Sequence, residues 1–126
     1  MDLIDIAKYS HIDLRSEKEY EKGTIPNSVN LPILNNHEFE SVGKEYKVHG
    51  QNAAIDLGLQ LVSGSLKKNR IIKWENHINS NQGCSIFCYR GGLRSKLAQE
   101  WLLEKKIKVD RISGGYKKVR NKIWQI

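Results

Sequence analysis

The chain has 126 residues, 39% of them apolar and 28% charged, the balance of an ordinary soluble globular protein. That length suits a single domain over residues 1–126 with a core of its own, and no apolar stretch approaches the length of a membrane span. The formal charge of +7 suggests a polyanion partner such as RNA, or simply a lysine-rich solvated surface.

The N-terminus, Met1-Asp2-Leu3-Ile4-Asp5, is acidic and has no signal-peptide pattern, so a cytoplasmic protein without membrane attachment is expected. Leu3 to Ile6 and His11 to Leu14 both have strand character. Ser16 to Glu19 begins a short helix, with Ser16 as N-cap and Glu19 closing a capping box, and Gly23 ends it. Ile25-Pro26-Asn27 forms a turn before a short strand from Ser28 to Leu31. Helices are expected over His37 to Lys47 and Gln51 to Val62, the second with an apolar stripe of Ala53, Ala54, Leu57, Leu61 and Val62. Ser65 to Asn79 is another, carrying Leu66, Ile71, Trp74 and Ile78. Ser85-Ile86-Phe87 reads as a buried strand, and Lys96 to Lys106 as an amphipathic helix with Leu97, Trp101 and Leu102 inward. Lys108 to Ile112 is a strand, and Gly114-Gly115 opens a last helix from Tyr116 to about Lys122. Trp74, Trp101 and Trp124 are expected to pack in the core and at its edges.

Strands alternate with helices, which predicts an α/β fold with a largely parallel sheet covered on both faces. Ligands in such sheets sit beyond the carboxyl ends of the strands. Three loops follow strand ends: Asp13 to Arg15, the loop after Cys88, and Ser113-Gly114-Gly115. They should converge on one crevice.

The richest chemistry lies in Cys88-Tyr89-Arg90-Gly91-Gly92-Leu93-Arg94-Ser95. A cysteine ends a strand, a glycine-containing loop follows, and a helix starts at its far side. Amides at such a helix start attract anions, and the helix dipole with Arg90 and Arg94 favours a charged sulfur. A free buried cysteine can also be just a small hydrophobe. Two glycines and two arginines in the next six residues argue for a nucleophile or a carrier of a charged group.

Cys84 lies four residues earlier on the same expected strand, about 13 Å away at the usual rise, so no disulfide is expected. Cys84 is then a structural neighbour deeper in the sheet. No Cys/His spacing matches a zinc site, and no metal is expected. His11, His37, His49 and His77 are scattered and are taken as surface or helix-face residues. Lys105, Lys106, Lys108, Arg111, Lys117, Lys118, Arg120 and Lys122 concentrate positive charge near the C-terminus.

The chain resembles a rhodanese-type domain. The motifs are Ile12-Asp13-Leu14-Arg15, Glu19-Tyr20-x-x-Gly23-x-Ile25-Pro26-x-Ser28-x-Asn30-Leu31-Pro32, the cysteine loop and Gly114-Gly115-Tyr116, in the family's order. The resemblance implies a rhodanese-like three-layer domain in which the loop cysteine carries a persulfide cradled by loop amides. Pro32-Ile33-Leu34-Asn35-Asn36, Val42-Gly43-x-x-Tyr46-Lys47-x-x-Gly50, Ala54-x-x-Leu57-Gly58-x-x-Leu61-Val62 and Cys88-x-Arg90-Gly91-Gly92-x-Arg94-Ser95 are similar to one subgroup, the rhodanese half of tRNA 2-selenouridine synthases. That family replaces sulfur by selenium in wobble 2-thiouridine of tRNA, with selenophosphate as donor and a geranylated intermediate. The resemblance implies selenophosphate and geranyl diphosphate as substrates of the complete enzyme, with no tightly bound cofactor.

The family's second half carries a P-loop, and no G-x-x-x-x-G-K-[ST] occurs here. Gly43-Lys44 is followed by Glu45 and has no glycine five before it. The chain is therefore expected to be either a truncated form or, favoured by its Met1 start and its stop after the last helix, a separately encoded subunit working with a P-loop subunit and tRNA. Under this resemblance Cys88 is the catalytic group. The amides of Tyr89, Arg90, Gly91, Gly92, Leu93, Arg94 and Ser95 form the anion loop. Arg94 holds phosphate or selenophosphate, and Arg90 does likewise or faces RNA. Cys88 either carries selenium or attacks an activated uridine. Asp13 and Arg15 support the loop, with bracing favoured because buried charges need partners. Gly114 and Gly115 permit close loop packing.

Other classes remain. A stand-alone rhodanese sulfurtransferase is one. Cys88 to Arg94 also has the C-x5-R spacing of rhodanese-fold phosphatases and arsenate reductases. Against these, Phe87 stands where tyrosine phosphatases have histidine, and Tyr89 to Leu93 contain no acid to protonate a leaving group. A non-enzymatic module presenting tRNA is the third class.

Overall fold

The computed structural model describes residues 3–124. Elements run α1 (Leu3–Lys8), β1 (His11–Asp13), α2 (Glu17–Glu21), β2 (Ser28–Asn30), α3 (Asn36–His49), α4 (Gln51–Leu61), α5 (Gly64–Ser80), β3 (Ser85–Phe87), α6 (Leu93–Glu104), β4 (Asp110–Arg111) and α7 (Gly115–Trp124). The four strands form one sheet in the order β2-β1-β3-β4, every pairing parallel. Parallel strands all end on the same edge, so the segments after β1, β3 and β4 emerge side by side.

Helices cover both faces, as the alternating pattern predicts. Successive strand residues point to opposite sides, and Ile86 and Phe87 divide accordingly. Ile12, Leu14 and Ile86 join Ile71, Trp74, Ala98, Trp101 and Leu102 on one face. Phe87 joins Ile6, Ile25, Ile112 and Val119 on the other. Trp74 and Trp101 stack at 6.2 Å, and the Trp74 indole N–H donates to the Leu31 carbonyl. The Trp124 side chain lies outside the described residues. A half-buried ion pair ties α3 to α5: Arg70 bonds both carboxylate oxygens of Glu38 at 2.7 and 3.1 Å.

Several expected boundaries move. Leu3 to Ile6 is helical, not a strand, and joins neither edge of the sheet. Leu3 and Ile6, three apart, then share the face that packs on Phe87 and Ile112, while Ile4 is exposed. The strand expected over Lys108 to Ile112 pairs only at Asp110 and Arg111. The helix expected from Lys96 begins at Leu93, so half of the anion loop is its first turn. The last helix starts at Gly115, one residue early.

His11 is not a surface residue but fully buried. Its Nδ1 accepts from the Ser85 amide at 3.0 Å, and its Nε2 donates to the Ile6 carbonyl at 2.7 Å, near the end of α1. That bonding requires the neutral ring, and burial, reinforced by nearby His77, lowers its pKa below 6.5. The unfolded chain then binds the proton more readily, so this stabilisation is whole above pH 6.5 and fades as pH falls below it. His11→Gln should destabilise the fold by about 1–3 kcal/mol at neutral pH. It should also shrink the fall in melting temperature between pH 7.5 and 5. Equal slopes in the two proteins would remove His11 as a source of the acid sensitivity.

Candidate functional site

β3 ends at Phe87, and Cys88 follows it into a tight loop. Cys88 is 3% exposed, at the bottom of the loop, not on its rim. Its Sγ lies 3.3 Å from the Ser95 hydroxyl and 3.9 Å from the Gly92 carbonyl. Ser95 sits in the first turn of α6 and bonds back to Gly92 at 3.2 Å, so sulfur and helix start are locked together.

The loop carbonyls are held from outside. The amides of Tyr116 and Lys117, in the first turn of α7, donate to the carbonyls of Cys88 and Tyr89 at 3.0 and 2.9 Å. Arg111, at the end of β4, donates to the carbonyls of Gly91 and Gly92 at 3.2 and 3.4 Å and to the Ser95 hydroxyl at 3.3 Å. In a trans peptide the N–H points opposite to the C=O. Drawing these four carbonyls towards β4 and α7 therefore turns the amides of Tyr89, Arg90, Gly92 and Leu93 the other way. Together with the amides at the start of α6, which has no side-chain cap, they make a group of donors suited to an anion.

Gly91, Gly114 and Gly115 all have positive φ, at 74°, 76° and 61°. At Gly115 the reason is also spatial. A Cβ there would lie 2.5 Å from the Cys88 carbonyl oxygen and 2.7 Å from the Gly91 nitrogen. The two loops touch backbone to backbone.

Asp13 and Arg15 are fully buried beside this contact and do not face the sulfur. Arg15 makes a forked pair with Asp13, with an N–O distance of 2.7 Å, and donates to the Gly23 carbonyl at 2.7 Å. Its guanidinium lies 4.1 Å from the centre of the Tyr116 ring. Thr24 completes the Asp13 carboxylate at 2.9 Å. The pair thus ties the end of β1 to the segment before β2 and to the helix that grips the cysteine loop.

The two loop arginines diverge. Arg90 is exposed, its guanidinium 5.6 Å from the Tyr89 ring centre. Arg94 turns away to Glu19, bonding both carboxylate oxygens at 2.8 and 3.2 Å, with its guanidinium over the Phe39 ring. Burial alone would raise the Glu19 pKa, but the hydrogen bonds and charge of Arg94, together with Ser16, hold it below its ordinary value. Glu19 also accepts from the Ser16 amide and hydroxyl, so the expected capping residue of α2 doubles as the anchor of Arg94.

Arg111 counted in the sequence only as one of several C-terminal cations. The only hint of its role was its place two residues before Ser113-Gly114-Gly115. The basic cluster divides accordingly: Arg111 braces the loop from below, while Lys117, Lys118 and Lys122 border a shallow depression with Arg90. Cys84, at the opposite end of β3, is a free thiol whose pKa burial raises to about 11, so it stays protonated at neutral pH. Among the described residues no cluster of three or more His, Cys, Asp or Glu could hold a metal. No described helix is long and apolar enough to cross a membrane.

Residues 1–122 match the family model described as the rhodanese-like domain. The chain is 44% identical over 115 residues to the tRNA 2-selenouridine synthase of Shewanella denitrificans, covering 91% of this chain and 31% of that protein. The Sulfurovum sp. protein of the same name is 45% identical over 114 residues, with 90% and 31% covered. The chain thus spans about a third of the length of these curated relatives. Among solved structures, it superposes with a TM-score of 0.82 and 34% identity on the N-terminal domain of a Clostridium difficile 630 protein described as ATP/GTP-binding, covering 90% of this chain and 88% of that one.

Proposed function

Because this chain belongs to the rhodanese-like domain family, we propose that it is the rhodanese part of a tRNA 2-selenouridine synthase. In this reading it exchanges sulfur for selenium in wobble 2-thiouridine, with selenophosphate as donor and Cys88 as the reacting sulfur. The observation that carries the reading is the 44% identity to a protein of that name across nine-tenths of the chain. The site chemistry agrees with it. Selenophosphate is a tetrahedral anion, and the amides of Tyr89 to Ser95 offer several converging donors beside a sulfur nucleophile. The Arg94–Glu19 pair weakens the phosphatase alternative, whose arginine must bend over the loop.

The relatives are about three times as long. In this reading a P-loop part beyond residues 1–126 provides the nucleotide-type phosphate site and the geranyl diphosphate chemistry. The test is nucleoside mass spectrometry of 2-thiouridine tRNA incubated with selenophosphate, geranyl diphosphate, this chain and a matching P-loop chain. Selenouridine that forms only with both chains is the expected result. No selenouridine, with phosphate or arsenate turnover by this chain alone, would replace the reading by the C-x5-R one.

Arg90, Lys117, Lys118 and Lys122 border the depression next to the loop. Their chemistry suits the tRNA backbone, which would bring its wobble base to Cys88 from that side. The double variant Lys117→Glu, Lys118→Glu should weaken tRNA binding at least tenfold in 100 mM salt and flatten its salt dependence by about two phosphate contacts. Unchanged affinity and slope in a filter-binding titration would remove this face as the RNA contact.

A further inference from the structure

We propose that Arg111 is a positioning residue for the chemistry at Cys88, acting through the Ser95 hydroxyl to hold the sulfur in its thiolate form. This assignment rests on Cys88 being the reacting group.

Ser95 is fully buried, and three groups meet at its hydroxyl. The oxygen lies 3.3 Å from the Cys88 sulfur, 3.2 Å from the Gly92 carbonyl and 3.3 Å from Arg111 Nη1. A hydroxyl has a single proton to donate. Beside a neutral thiol that proton goes to the Gly92 carbonyl, and the thiol donates its own to the Ser95 oxygen. A thiolate has no proton to give and needs a donor, so the hydroxyl turns to it. The Gly92 carbonyl then loses its Ser95 bond but keeps those from the Lys96 amide at 3.2 Å and from Arg111 at 3.4 Å. The turn therefore strands no acceptor.

Arg111 favours the thiolate arrangement in two ways. Its bond to the Ser95 oxygen polarises the hydroxyl and makes it a stronger donor. Its positive charge also favours the charged sulfur over the neutral one. The two hydrogens of Nη1 are shared among three oxygens, those of Gly91, Gly92 and Ser95, at 3.2 to 3.4 Å. That surplus of acceptors lets the guanidinium shift towards Ser95 as the hydroxyl turns.

The other charges around the loop are paired or lie outside it. Arg94 of α6 is paired with Glu19 of α2, and Arg15 after β1 with Asp13. Arg90 is exposed beside the Tyr89 ring, and Lys96 on α6 and Asp110 on β4 are exposed as well. Lys117 and Lys118 of α7 border the neighbouring depression. Among the described residues, Arg111 is the cation joined to the sulfur by a hydrogen-bonded chain.

Thiolate formation would be followed by ultraviolet absorbance against pH in a Cys84→Ala background, with the Cys88→Ala trace subtracted. Arg111→Met should move the midpoint for Cys88 upward by about one pH unit or more, a tenfold change in the balance of thiol and thiolate. Arg111→Lys keeps the charge and should stay within about a third of a pH unit of wild type. Ser95→Ala should also raise the midpoint. Adding Arg111→Met to it should then change the midpoint by less than about half of what Arg111→Met does alone, because the two act along one path. Melting curves would identify the folded variants. A lower melting temperature with an unmoved midpoint in Arg111→Met would make Arg111 a brace only and overturn the proposal. A full shift from Arg111→Met in the Ser95→Ala background overturns the route through Ser95. Should Arg111→Met fail to fold, Ser95→Ala, which removes one oxygen, decides: an unmoved midpoint there overturns the relay. The titration needs neither tRNA nor selenium, so its failure leaves the proposed function standing, and absent selenouridine with these shifts intact would sink the proposed function alone.

Discussion

Under the proposed function, Cys88→Ala should reduce selenouridine formation by roughly a thousandfold or more while leaving the protein folded. The thiol is a stronger nucleophile than the neighbouring Ser95 hydroxyl, and the groups around it do not depend on it. Its Sγ contacts are a hydroxyl at 3.3 Å and a carbonyl at 3.9 Å, and both keep another partner when it is gone. The stability loss should stay near about 1 kcal/mol, the scale of losing one small buried group. The comparison that matters is product per hour against melting temperature in the same preparation. A variant that keeps more than a third of the wild-type rate would show that Cys88 takes no part in the chemistry. Cys84→Ala supplies the control: its raised pKa keeps it an unreactive thiol, and its loss should leave turnover within twofold.

Gly115→Ala should be far more damaging than Gly114→Ala, although both glycines have positive φ. For any other residue the left-handed conformation costs roughly 1–2 kcal/mol. At Gly114 the nearest atoms to the added methyl are Lys118 Cδ, which can swing aside, and Lys118 Cβ at 2.7 Å, which yields only by a small shift of α7. At Gly115 it meets the backbone of Cys88, Tyr89 and Gly91, all within 2.8 Å. Relief would require parting the two loops and breaking the bonds from Tyr116 and Lys117 to the Cys88 and Tyr89 carbonyls. The total for Gly115→Ala is about 2–5 kcal/mol, with loss of the donor surface as well. Urea unfolding midpoints and anion binding would be compared for the two variants. Equal losses would mean that φ alone governs both positions and that the backbone contact is unimportant.

The three-loop crevice is legible because it follows from topology. Once strands alternate with helices the sheet is parallel, and parallel strands deliver every following loop to one edge. The capping box at Ser16 and Glu19, the strand Ser85–Phe87 and the long helices follow from local rules that depend only on neighbours in sequence. The misplacement of Leu3 to Ile6 has the opposite origin. A short apolar run suits a strand or a helix equally, and here a helix places Leu3 and Ile6 together against Phe87 and Ile112.

The amino-acid sequence by itself determined the α/β class, the order of the elements after α1, and a cysteine, two glycines and two arginines in one loop between a strand and a helix. Only the tertiary structure decided what those groups face. It drew Arg94 out of the loop to Glu19, 75 residues away in sequence, and brought Arg111 underneath it. It buried His11 against Ser85, paired Arg15 with the Tyr116 ring, and left an apolar hollow between α3 and α4. The physical reason is that charge pairing, desolvation and void volume depend on distances between residues far apart in the chain. Periodicity and capping report on neighbours within about one helical turn.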